Sequence, residues 1–177
     1  KVYFIRHGQT AHNTTGYITG HLDISVTDEG ILEVEEALEK VPADFSVMYS
    51  SDLIRCRQTA DILNKKLKLP IIYDVRLRER NFGSLQGKKW EEFDPDFRDK
   101  DFNQTYDYRA YGGESVDEFK SRLLAFIDDI RNKEKGGKAL VVTHAGVIRL
   151  LHHLLNGKVP EKIHNASLHE FDFPDVV

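Results

Sequence analysis

Arg6-His7-Gly8 closes an apolar run, Val2 to Ile5, and sets an ionisable ring beside a fixed cation. A free imidazole can attack phosphorus and titrates near pH ~6.5, while a planar guanidinium fork grips phosphate oxygens. A short run of Val, Tyr, Phe and Ile reads as a buried strand, and ligands of open α/β sheets gather outside the carboxyl ends of such strands. The pattern therefore points to phosphoryl chemistry in a crevice. Alone, the tripeptide fits equally well a strand-end ion pair, a half-buried structural histidine and a turn glycine.

Residues of matching chemistry follow other strand candidates. Asn13 stands in the loop after His7, where its amide can donate to a phosphate oxygen. Arg55 lies early in a helix after the strand Ser46 to Ser50, opposite the Leu53/Cys56 face, and can turn back toward the sheet's carboxyl edge. Glu79 follows the strand Ile71 to Tyr73. His144 follows the strand Ala139 to Thr143 and opens a helix, whose first amides attract anions. Each has an ordinary structural reading when taken singly: Arg55 as a surface cation, His144 as a core histidine, Glu79 as one charge in the run Arg76 to Arg80. What separates the readings is convergence on one sheet edge.

The elements that must bring these groups together are legible in the apolar spacing. Thr27-Asp28-Glu29 with Ile31, Val34, Leu38 and Val41 predicts a capped amphipathic helix stopped by Pro42. Leu53, Cys56, Ala60, Leu63 and Leu67 predict a second helix ending before Pro70. Ser115 with Glu118 forms a capping-box pattern ahead of Val116, Phe119, Leu123, Ile127 and Ile130, a stripe expected to run as far as Gly136-Gly137. Val147 to Leu155 reads as an apolar helix stopped by Asn156-Gly157, with His152-His153 bridging core and surface, and Leu168 to Phe173 reads as a closing strand. Alternating strands and helices imply βαβ units, and hence an α/β fold: a three-layer α/β/α sandwich on a mostly parallel sheet. The stretch 82–113 breaks the rhythm with Trp90, Phe93, Phe97, Phe102, Tyr106, Tyr108 and Tyr111. It is expected to be an insertion forming a small satellite core, or a lid or pocket wall.

The 177 residues fit a single domain, 1–177. One cysteine, Cys56, excludes an intramolecular disulfide framework, and no apolar run is long enough to cross a bilayer, so a cytoplasmic protein is expected. A net charge of −4 without a basic stripe argues against nucleic acid as a partner. A metal site built from His7, His12 and His144 is the rival reading of the histidines. It lacks both His-Glu-x-x-His spacing and a neighbouring carboxylate cluster, so neither metal nor cofactor is expected.

In order and spacing, Arg6-His7-Gly8-Gln9-Thr10 with Asn13, Thr19-Gly20 before Asp23, the Ser51 to Ala60 segment, Leu77 to Gly83 with Gln86-Gly87, Gly113-Glu114-Ser115, Thr143 to Arg149 and Asn165-Ala166-Ser167 resemble the histidine phosphatase superfamily. Its members include phosphoglycerate mutases, fructose-2,6-bisphosphatases and broad-specificity phosphatases. The resemblance spans almost the whole chain and implies a phosphoglycerate mutase-like fold. It implies that His7 becomes phosphorylated and that Glu79 is the proton donor. Arg6, Asn13, Arg55 and His144 would form the phosphate pocket, with Thr19 and Gly20 beside the substrate.

Physical chemistry runs alongside. Phosphoryl transfer has a loose transition state, so catalysis is mostly positioning and charge stabilisation, which two guanidiniums, an imidazolium and an amide can supply. His144 serves that role when protonated, and a nearby phosphate dianion would raise the pKa of Glu79, whereas Arg78 and Arg80 would lower it if they faced inward. The chain departs from the mutases in having no Arg-Arg pair, in Phe82 where they have tyrosine, and in Tyr17 where many relatives have a basic residue. Arg109, Lys88 and Lys89 are candidates for a second anionic group or simply solvated charges. These departures favour hydrolysis of small phosphate esters over mutase-type transfer or non-catalytic phospho-ligand binding. The substrate and the choice between monomer and homodimer stay open.

Overall fold

Strands β1 (Val2–Arg6), β2 (Val47–Ser50), β3 (Ile71–Tyr73), β4 (Ala139–Thr143) and β5 (Leu168–Phe171) form one sheet in the order β3-β2-β4-β1-β5. Every neighbouring pair is parallel except β1 with β5. The computed structural model describes residues 1–134, 137–156 and 158–173, so the expected helix stops at Gly136 and Gly157 lie outside the described residues.

Crossovers set the layers. Connections leading toward β3 and those leading back toward β1 must cover opposite faces if each is right-handed. Accordingly α2 (Asp28–Leu38) and α3 (Ile54–Leu67) pack Val34, Leu38, Cys56, Ala60 and Leu63 against Ile5, Met48, Leu140 and Val142. On the other face α5 (Val116–Lys133) and α6 (Ala145–Leu151) pack Phe119, Leu123, Phe126 and Val147 against Phe4, Tyr49 and Val141. Alternate strand residues thus feed alternate cores. The three-layer α/β/α arrangement is the one the alternation predicted.

Local rules fix the helix starts. The Thr27 hydroxyl accepts from Gly30 N at 3.0 Å, and Ser115 and Glu118 cap each other reciprocally. Several boundaries differ from expectation, α2 for one ending at Leu38 and not reaching Val41. α6 begins at Ala145, because His144 is an extended N-cap, and after Leu151 the chain widens into a π-turn, His152–Asn156. β5 stops at Phe171 because its only neighbour is β1, whose pairing ends at Val2 opposite Phe171.

The stretch 82–113 is not a separate satellite core. Phe82, Tyr106 and Tyr108 belong to the same buried cluster as Phe4 and Phe119, with Trp90, Phe93 and Phe97 packed on its edge. Tyr106 stacks on Tyr108 at 4.6 Å and Phe93 on Phe97 at 4.8 Å, around the short helix α4 (Pro95–Phe102). This aromatic block forms one wall of the crevice at the sheet's carboxyl edge. Among the described residues, no helix is long and apolar enough to cross a membrane.

Candidate active site

β1 ends at Arg6, and His7 N–H still reaches the Thr143 carbonyl, so the ladder delivers His7 to the edge where β4 delivers His144. A cavity of about 840 Å³ opens there, lined by Arg6, His7, Asn13, Thr19, Gly20, Arg55 and Glu79, with Phe82, Trp90 and Phe102 on its outer wall. Of the residues read from the sequence as catalytic, phosphate-binding or beside the substrate, only His144 does not line it. His144 is fully buried and packs edge-on against His7, ring centroids 5.3 Å apart.

Hydrogen bonds fix the His7 tautomer. Nδ1 lies 2.8 Å from the Gly8 carbonyl, an acceptor, so Nδ1 carries the proton and Nε2 keeps its lone pair. Arg55 Nε–H donates to that lone pair at 3.3 Å. Burial, then Arg55 and Arg6, hold His7 well below its ordinary pKa. The ring is therefore neutral at neutral pH, as a nucleophile must be. His144 is likewise held well below its ordinary value by burial, then Arg55 and His7, with Nε2 2.8 Å from Ser51 Oγ. It too is neutral at neutral pH.

Arg55 is buried on α3, and its other nitrogens donate to the Gly20 and Leu22 carbonyls at 2.7 and 2.8 Å, so Gly20 serves through its backbone. Burial pushes Arg6 down to about 10; its Nη1 donates to the Ile163 carbonyl at 2.6 Å, and its buried Nε has no protein partner. A buried donor without a partner is a place for a ligand oxygen. Asn13 Oδ1 accepts from Thr10 N and Asn165 Nδ2, which leaves its NH2 to donate to a ligand.

Glu79 faces the same cavity. Its Oε2 accepts from Gly146 N at 3.0 Å and its Oε1 from Arg80 N at 2.9 Å. Burial favours the neutral acid, but the Arg80 guanidinium, these two N–H groups and Arg55 outweigh it and hold the pKa below the ordinary carboxylate value. Arg80 does face inward, 4% exposed, with Nη2 on Asp101 at 3.0 Å; Arg78 turns away to Asp52. Sequence reasoning left the direction of Arg80 open and missed Asp101 and Arg149 as cavity residues. Their aromatic-rich neighbourhood was the only signal, since Arg80 lies over Phe82 and Tyr106 and Arg149 over Phe102. Arg109, Lys88 and Lys89 lie outside this cavity, Arg109 paired with Asp107 and Lys89 with Glu91. Among the described residues no cluster of His, Cys, Asp or Glu is arranged to hold a metal.

The model of the histidine phosphatase superfamily (branch 1) matches residues 2–175. The chain belongs to that superfamily. A phosphoglycerate mutase-like protein 4 of Arabidopsis thaliana is 35% identical over 97% of this chain and 78% of its own length. A metal-independent phosphoserine phosphatase of the same plant is 33% identical over 95% of this chain and 74% of its own. A mycobacterial glucosyl-3-phosphoglycerate phosphatase solved with VO3 superposes with a TM-score of 0.84 at 27% identity, covering 94% of this chain and 90% of that one.

Two expectations follow for this histidine phosphatase chain. A Cβ at Gly146 would overlap Glu79 Oε1, so Gly146→Ala must push the carboxylate off its seat. A crystal structure of the variant would record the displaced carboxylate. The second concerns pH. His7 and His144 are neutral when folded but bind protons near pH ~6.5 when unfolded, so stability is lost as pH falls below that value and is flat above it. Each ring contributes about 1.4 kcal/mol per pH unit, which urea midpoints between pH 7.5 and 5 would record. A flat profile over that window would contradict the buried neutral histidines.

Proposed function

We propose that this chain is a phosphatase that hydrolyses small phosphomonoesters in two steps without metal. His7 Nε2 attacks the ester phosphorus; the ester oxygen leaves as an alcohol on taking a proton from Glu79; water, giving its proton back to Glu79, then cleaves the phosphohistidine to inorganic phosphate. Arg6, Arg55 and Asn13 hold the phosphoryl oxygens, with Thr19 and Gly20 beside the leaving group and His144, one ring behind His7, adding its positive charge once the bound anion favours the imidazolium. The observation that carries this reading is the unprotonated Nε2 of His7, bonded to Arg55 and facing the cavity that Glu79 also lines. The relatives bear both mutase-like and phosphatase names. Hydrolysis is favoured because the chain has no adjacent arginine pair.

The test mixes the protein with a phosphomonoester and 3-phosphoglycerate and follows inorganic phosphate against phosphoglycerate isomer exchange. Steady phosphate release supports the proposal. Rapid isomerisation with negligible release would make the protein a mutase, and saturable binding with neither would make it a phospho-ligand binder. A panel of sugar phosphates, nucleotides, phosphoglycerates and an aryl phosphate would then rank the esters.

A further inference from the structure

Glu79 stands on backbone that is neither helix nor strand, between the single turns Val75–Leu77 and Gly83–Leu85. Such a segment has no ladder to fix it, and its buried carbonyls need donors from elsewhere. A carboxyl that exchanges protons with a substrate must nevertheless be held to a fraction of an ångström. One side chain of α5 takes three of this loop's carbonyls.

We propose that Arg122 is a positioning residue, which with Glu114 clamps the loop so that the Glu79 carboxyl stays aimed into the cavity. Arg122 does not line the cavity. Its Nη1 donates to the Arg76 and Arg78 carbonyls at 2.6 and 2.8 Å, and Nη2 donates to the Glu79 carbonyl at 2.9 Å. The remaining two N–H groups go to Glu114: Nε to Oε2 at 3.0 Å and Nη2 to Oε1 at 2.7 Å. All five donors of the guanidinium are thereby used, three on the backbone that carries Glu79.

Glu114 closes the clamp from the other side. Its Oε1 accepts from Asn81 N at 2.7 Å, and its own N–H donates to the Asn81 carbonyl at 3.0 Å. His21 Nε2 adds a second donor on the Glu79 carbonyl at 2.7 Å. The Arg122 guanidinium also lies 4.5 Å from the Phe119 ring centroid, which limits its swing. A lysine could keep the charge opposite Glu114, but its three donors on one atom cannot span three carbonyls and a carboxylate.

This inference rests on Glu79 being the proton donor, and the experiment separates the two. It compares kcat/KM for glycerol phosphate, whose alkoxide needs a proton on leaving, with p-nitrophenyl phosphate, whose phenolate does not, in wild type and Arg122→Lys. Because both esters share one protein sample, a loss of folded fraction cancels in their ratio. The alkyl-to-aryl ratio is expected to fall by roughly 30-fold in Arg122→Lys, part of the 10²–10⁴-fold that a general acid supplies. Should the lysine variant not fold, Glu114→Gln takes its place, with an expected fall of about 5-fold from loss of one side of the clamp.

Equal losses on both esters, or a ratio moving less than about 3-fold, would reduce Arg122 to a structural anchor. If the wild type turns over neither ester, the phosphatase reading fails and the inference with it. If Glu79→Gln leaves the ratio unmoved while the wild type is active, Glu79 is not the acid and the clamp has nothing to position.

Discussion

Replacement of His7 by alanine is expected to lower phosphomonoester turnover by about 10⁴-fold or more and to abolish covalent phosphate on the protein. The size follows from what is removed. Nε2 is the ring nitrogen that the hydrogen bonds of the site leave unprotonated, and Glu79 is the other cavity group proposed for the chemistry. A carboxylate held ionised between Arg80 and two N–H groups is a poor substitute. Anion binding should respond differently. Without His7, Arg6 and Arg55 keep the Ile163, Gly20 and Leu22 carbonyls as partners, and Arg55 loses only its Nε contact. Inorganic phosphate or vanadate should therefore still bind within about tenfold of wild type, since truncating a neutral ring costs far less than losing a charge-assisted contact. Titration calorimetry of the anion, paired with acid-free trapping of phosphoenzyme, separates the two effects. Turnover in His7→Ala above about one hundredth of wild type would mean that phosphorus is attacked by something else.

The strand-end groups were legible because a parallel sheet has one chemically distinct edge. Once β1, β2, β3 and β4 are read from apolar runs, Arg6, His7, Arg55, Glu79 and His144 all fall on it, and the structure places all but His144 in the cavity wall, with His144 one ring behind. The clamp was not legible in the same way. Arg122 sits on a helix whose stripe, Phe119, Leu123, Phe126 and Ile130, announces only its buried face, and its backbone partners at 76, 78 and 79 lie far off in sequence. The direction of Arg80 stayed open for a related reason. In an irregular loop there is no period to say which of Arg78 and Arg80 turns inward, and the choice is made by Asp52 outside and by Asp101 and two aromatic faces inside. Asp101 in turn comes from α4 within 82–113, where alternation and helical spacing are both lost among the aromatic residues.

Glu79→Gln tests the other half of the chemistry, with an expected loss of about 10³-fold on alkyl phosphates. In the free protein the carboxyl is ionised at neutral pH, because Arg80, the Gly146 and Arg80 N–H groups and Arg55 outweigh burial. A phosphate dianion changes that balance, since it neutralises Arg6 and Arg55 and sets its own charge near the carboxylate, which favours the protonated acid. The proton comes in with the ester, whose own second ionisation is near pH ~6, or from solvent. For alkyl esters kcat/KM should therefore decline as pH rises above that value, and this limb should vanish in Glu79→Gln. An aryl ester should behave otherwise. Its phenolate leaves unassisted, so the variant should still release about one equivalent of p-nitrophenol in a burst and then stall, because hydrolysis of the phosphohistidine also needs Glu79, now as base. Stopped-flow absorbance gives the burst and trapping gives the stalled phosphoenzyme. A variant that turns over both esters steadily with the wild-type pH limb would remove Glu79 from proton transfer and leave its buried, doubly hydrogen-bonded seat as a structural counter-charge to Arg80 alone.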